Sequence, residues 1–193
     1  MNFLAHFFLA YPHKGHIVGN FIADFVKGKK YLNYPQDIQE GIIMHRKIDT
    51  FTDTHPTVKQ SIKKIREEQG KFSPVVIDMF YDYFLAAYWE NHSPKIKLET
   101  FTFEIFQVLD QYSTLFPERV QAFYPYMKNG NWLLRYATVR GIGSSLKGLY
   151  KRTGGISNMH LGEQTLRNYY KELKADFEAF FPELEQYVHT IKN

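Results

Sequence analysis

The chain has 193 residues, a net charge of +4, no cysteine and 17% aromatic side chains. The missing cysteines exclude disulfides, zinc–thiolate sites and cysteine nucleophiles, and the aromatic content excludes a disordered chain. A pI of about 9.0 suits an acidic partner, or simply a solubilising surface.

No apolar run approaches the roughly 20 residues that cross a bilayer. The opening MNFLAHFFLAYPHKGH has no basic segment before its apolar run and no small-residue cleavage site after it. A soluble cytoplasmic protein is expected, with neither membrane nor nucleic acid as partner.

Taken in order, Asn2 to Ala10 reads as a short apolar helix holding His6, and Pro12 and Gly15 break it. Ile17 to Val26 is a second helical stretch with Asn20 and Asp24 as an i,i+4 polar pair, ended by Gly28 and Lys27, Lys29 and Lys30. Pro35 opens a third helix, in which Ile38, Ile42, His45 and Asp49 recur at helical spacing. The next, Val58 to Gln69, carries Lys63, Lys64 and Arg66 and stops at Gly70.

Ser73-Pro74 starts a helix running to Asn91 that is apolar almost all round and hence central. It nevertheless holds Asp78 and Asp82 one turn apart. Helices follow over 98–115, from Pro117 to near Gly130, and from Trp132 to Val139. Arg140, Gly141 and Gly143 then lead to a basic segment, Lys147 to Arg152, and a Thr153-Gly154-Gly155 loop. Leu161 to Phe181 is amphipathic, and Pro182 opens a final helix. There is no strand alternation, linker or internal repeat. One all-α domain spanning residues 1–193 is predicted.

His45 and Asp49 lie on the face that the apolar pattern turns inward. Polar groups buried there cost about 1–3 kcal/mol each without partners, and a metal ion satisfies both. His6, Asp24, His45, Asp49, Asp78 and Asp82 form an imidazole and carboxylate set that suits manganese, iron or zinc, leaning toward manganese or magnesium. Simpler roles exist for several of them. His6 alone fits a hydrogen-bonded core residue, Asp24 can pair with Lys27, and Asp78 suits a first-turn acid. Asp82, mid-helix among aromatics, has no such simple role.

The segments MNFLAHFFLA, GNFIADFVKGK, GIIMHRKIDTFTDTHP and IDMFYDYFLAAYW, in this order, resemble the acyl carrier protein phosphodiesterases, a divergent branch of the HD-domain metal phosphohydrolases. The match is dense to about Trp89 and looser beyond it, where NWLLRY and a helical C-terminal region are also similar. The resemblance implies an HD-domain-like helical bundle that hydrolyses the phosphodiester joining 4′-phosphopantetheine to a serine of acyl carrier protein, with manganese as the ion and magnesium or iron as alternatives. It implies metal ligands at His6, Asp24, His45 and Asp82, and catalytic roles for Asp24, His45, Asp49 and Asp82. The adjacent His-Asp pair of HD-domain proteins is absent, since Arg46 follows His45; Asp24 is the candidate replacement.

Acyl carrier proteins are acidic. Lys27, Lys29 and Lys30 are therefore candidate docking residues, and Arg46 and Arg140 candidate phosphate contacts. Two other readings stay open: an HD-type phosphohydrolase acting on a nucleotide such as a guanosine polyphosphate, and a non-catalytic helical protein that binds acidic partners.

Overall fold

The computed structural model describes residues 1–192, among which no strand occurs. The helices are α1 (Phe3–Ala10), α2 (Lys14–Ile22), α3 (Gln36–Thr54), α4 (Pro56–Lys64), α5 (Arg66–Gln69), α6 (Ser73–Ala87) and α7 (Trp89–His92). They continue with α8 (Leu98–Gln111), α9 (Glu118–Asn129), α10 (Trp132–Arg135), α11 (Val139–Arg152), α12 (Gly162–Asn168) and α13 (Tyr170–Lys192). The all-α expectation is met, and no helix is long and apolar enough to cross a membrane.

Buried apolar side chains from α1 through α13 join in one core cluster. The central helix is α6, as its all-round apolar pattern requires: Val76, Ile77, Phe80, Tyr81, Phe84 and Leu85 are all fully buried. Around it pack α1, α4, α11 and α13. The closest pairing is α2 against α3, made possible by two glycines. A Cβ on Gly19 would collide with the Ile38 carbonyl and lie 2.7 Å from Gly41 Cα, and one on Gly41 would lie 2.7 Å from His16 Cα. The two backbones therefore touch, leaving no room for any side chain between them.

Several boundaries differ from expectation. The second stretch ends its α-helix at Ile22 and tightens into a 3₁₀ turn, Ala23–Phe25, so Asn20 and Asp24 do not share a face. Asn20 is buried while Asp24 is exposed. Pro182 does not open a helix, because α13 runs straight through it. A proline inside a helix costs about 3 kcal/mol. Here the buried face of Phe177, Phe180, Phe181, Leu184 and Val188 holds the helix together across it. The basic segment Lys147 to Arg152 is the last part of α11, and Gly141 and Gly143 lie inside that helix.

Candidate metal centre

The centre is built from α1, α2 and α3. Helix α1 is apolar nearly all round, so His6 is carried into the core with it and is 2% exposed. Its position depends on how the start of α1 is anchored. A helix N-terminus leaves its first amides without intrahelical partners. Here the Asp82 carboxylate, fully buried in α6, accepts from the N–H groups of Leu4 (2.7 Å), Ala5 (3.2 Å) and Asn2 (3.3 Å). Burial pushes Asp82 up to about 7, and the three N–H groups pull the other way. Beside it, the Met1 amino group donates to Asp78 at 3.0 Å.

Close packing of α2 on α3 brings Asn20 beneath His6. Asn20 donates its amide hydrogens to the carbonyls of His16 (3.0 Å) and Gly41 (3.1 Å), so its Oδ1 faces His6 Nδ1 at 3.0 Å. That oxygen can only accept, which assigns the proton to His6 Nδ1. His6 Nε2 then points its lone pair at Asp49 Oδ1, 3.2 Å away. Burial and the neighbouring His45 bring His6 down to about 4, so the ring is neutral and two acceptors face one another.

His45, from α3, stacks on His6 with ring centroids 3.9 Å apart and planes inclined by 16°. Its Nε2 lies 3.0 Å from Asp49 Oδ2 and 3.3 Å from Asp24 Oδ1, while its Nδ1 is buried without a partner. Burial works against the charged ring, but the Asp24 and Asp49 carboxylates outweigh it and hold His45 up at about 9. Asp49 remains well below the usual carboxylate range despite burial, because the hydrogen bond from His45 favours its charge. Asp24 is likewise lowered, mainly by the hydrogen bond from His45.

One nitrogen from each of His6 and His45 and one Asp49 oxygen lie within 4.8 Å of one another. A cation between the His6 lone pair and the Asp49 carboxylate removes their repulsion, and two imidazoles with a carboxylate form a donor set for a divalent transition metal. Asp24 stands at the open side of this group with its side chain 69% exposed. The residues present therefore fit a divalent ion. Asn20→Ala should weaken metal affinity by about 10–100-fold, as loss of a group orienting a ligating histidine does. Metal titration of the purified variant checks this.

The pairing also sets a pH dependence. Below about 9 a proton on His45 competes with any ion for the same nitrogen, whereas His6 near 4 does not compete at neutral pH. Apparent metal affinity should therefore rise by up to about tenfold per pH unit from 6 to 8. Uptake should release about one proton, readable from the buffer dependence of the binding heat.

Of the residues expected at the site, His6, Asp24, His45 and Asp49 converge. Asp82 does not join them, because its oxygens are taken by the amides at the start of α1. Arg46 is not free for a phosphate either. It donates to the carbonyls of Val26 (2.8 Å) and Gly28 (3.0 Å) and lies over the Tyr31 ring, binding the turn Gly28–Asn33 to α3. Lys27, Lys29 and Lys30 are exposed on and beside that turn, a few residues from Asp24. Arg140 is exposed on the first turn of α11, outside the cleft that opens at Asp24.

That cleft, of about 490 Å³, is walled by Phe25, Phe123 and Trp132 and contains Arg135 and Arg152. Sequence reasoning missed the two arginines and the orienting role of Asn20. Only the i,i+4 relation of Asn20 to Asp24 signalled anything there.

A family model described as acyl carrier protein phosphodiesterase matches residues 1–184. The acyl carrier protein phosphodiesterase of Photorhabdus laumondii is 33% identical over 94% of this chain and 92% of its own length. That of Escherichia coli O6:H1 is 33% identical over 95% of each chain. That of Serratia proteamaculans is 32% identical over 96% of each. No solved structure matches the chain.

Proposed function

We propose, from the premise that this chain belongs to the acyl carrier protein phosphodiesterase family, that it hydrolyses the phosphodiester linking 4′-phosphopantetheine to a serine of holo acyl carrier protein. Water adds to phosphorus, the bond from phosphorus to the serine oxygen breaks, and that oxygen leaves protonated as the serine hydroxyl. The products are apo carrier protein and free phosphopantetheine.

The observation that carries the metal-dependent reading is the facing pair of acceptors, His6 Nε2 and Asp49 Oδ1, 3.2 Å apart at the edge of the core. His6, His45 and Asp49 are the residues that would hold the ion, with Asp24 completing the set from the open side. Manganese is the expected ion because the set mixes imidazole with carboxylates. When bound, such an ion polarises a phosphoryl oxygen and makes water more acidic.

The chain's own groups do the rest. Asn20 keeps the proton on His6 Nδ1 and so keeps Nε2 free as a donor atom. Asp49 accepts from His45 Nε2 and faces the His6 Nε2 lone pair, and so fixes their spacing. Asp24, lowered and exposed, stays ionised at neutral pH and can orient a water or take its proton at Oδ1. Asp82 acts through α1 as a positioning residue. We read this arrangement as HD-like, with Asp49 one turn beyond His45 in place of an adjacent pair, within one domain spanning residues 1–193.

The direct test incubates holo acyl carrier protein with the enzyme and manganese and follows intact mass. Loss of one phosphopantetheine group is expected. An unchanged carrier protein, with phosphate released from a guanosine polyphosphate instead, would replace this reading with the nucleotide one.

Docking is a separate expectation. Lys27, Lys29 and Lys30 have no carboxylate within 4.0 Å among the described residues, and Arg46 ties their turn to the helix bearing His45. Reversing all three to Glu should raise the Michaelis constant for carrier protein severalfold and leave turnover at saturation nearly unchanged. Steady-state kinetics at two salt concentrations checks this, with the variant less salt-sensitive than the wild type.

A further inference from the structure

The cleft that opens at Asp24 contains a glycine that the fold itself does not require. Gly148 lies well inside α11, where glycine costs about 0.5–1 kcal/mol relative to alanine. The other glycines inside α-helices among the described residues have a packing reason. A Cβ on Gly15, Gly19, Gly41, Gly141, Gly143 or Gly162 would meet a neighbouring atom closer than 3.0 Å. A Cβ on Gly148 would meet nothing within 4 Å. What its missing side chain leaves open is the cleft, which it lines from the face of α11 opposite the buried Ile142 and Leu146.

The cleft has a definite chemistry. Phe123 and Trp132 stack with centroids 6.4 Å apart and planes 9° from parallel, and Phe25 lies 5.6 Å from Phe123, giving an apolar wall. Arg135 and Arg152 have no carboxylate within 4.0 Å and donate no side-chain hydrogen bond among the described residues, so two free cations face the same space. The volume of about 490 Å³ lies inside the roughly 300–1,000 Å³ of small-ligand sites. Asp24 lines it and is 3.3 Å from His45 Nε2, so a molecule cleaved at the centre can lay its remainder in the cleft.

We propose that this cleft seats the phosphopantetheine arm, with Gly148 setting its free width and Arg135 and Arg152 giving the cleft the positive charge that draws in an anionic ligand. This rests on the reaction proposed above. The arm offers what the walls accept: an uncharged chain with apolar and amide segments, carrying an anionic phosphate at one end.

The test is a size series at one position, Gly148→Ala, Gly148→Leu and Gly148→Trp, in the full chain loaded with manganese. Binding of free 4′-phosphopantetheine is read by calorimetry, and the fold by thermal melting. The Kd should rise in the order of side-chain size and by at least tenfold at Leu, while the melting temperature stays level or increases. A folded Gly148→Trp variant with the wild-type Kd would overturn the assignment. So would weaker binding that appears only with a lower melting temperature, since Gly148 would then belong to the fold. Wild-type protein that cleaves holo carrier protein without measurable affinity for phosphopantetheine would also overturn it. If graded binding is found but holo carrier protein is left intact, the reaction proposed above fails and the cleft assignment stands.

Discussion

Replacing Asp49 with alanine should abolish hydrolysis, by about a thousandfold or more, and should strip the protein of its divalent ion. Asp49 touches both histidines, His6 at 3.2 Å and His45 at 3.0 Å, so its loss removes a ligand and the group that spaces the other two. A centre of this kind contributes several kcal/mol to the transition state, and each 1.36 kcal/mol is a factor of ten in rate. Metal content by elemental analysis and turnover on holo carrier protein are the readouts. The side chain is partly exposed, which limits the packing loss, and the variant should remain folded. A folded variant that keeps its ion and its turnover would remove Asp49 from the centre.

Asp82→Ala should act differently, through stability. The substitution leaves the N–H groups of Asn2, Leu4 and Ala5 without their acceptor at the buried start of α1. Losing a cap costs about 0.5–2 kcal/mol, and an orphaned buried donor about 1–3 kcal/mol, partly offset because a carboxylate is no longer buried. A net loss of about 2–3 kcal/mol is expected, seen as a lower midpoint in denaturant. Asp82→Asn should recover only part of it. Its Oδ1 can still serve Asn2 and Ala5, but an amide NH₂ then meets the N–H of Leu4. At a temperature where the alanine variant is folded, it should still bind the ion. Loss of the ion from folded protein would make Asp82 a ligand after all.

These two aspartates show what the residue pattern could convey. Helical periodicity placed His45 and Asp49 on one inward face, and the structure puts them there. It also marked Asp82 as an anomaly in an apolar helix, which it is. Periodicity could not name its partner, because the partner is the backbone at the start of α1, and backbone amides have no sequence signature. The partners of Arg46 are hidden for the same reason, since they are the carbonyls of Val26 and Gly28. Asn20 went unassigned because its contacts depend on how closely α2 and α3 approach, a property of Gly19 and Gly41. The cleft is illegible in the sequence because it is assembled from α9, α10 and α11 against the turn holding Asp24, segments far apart along the chain. Pro182 misled because local propensity is outweighed by the buried face of α13.

The clamp on α1 has a consequence for the order in which the chain is made. Synthesis proceeds from the N-terminus, and domains form as their parts emerge. His6, Asn20, His45 and Asp49 are all translated before Asp82, the acceptor for the first amides of α1. During that interval the nascent chain has every donor of the centre but lacks the acceptor for the first amides of the helix that presents His6. Helix α1 thus leaves the ribosome before α6, and its first amides gain their acceptor only once a residue translated much later reaches back to them.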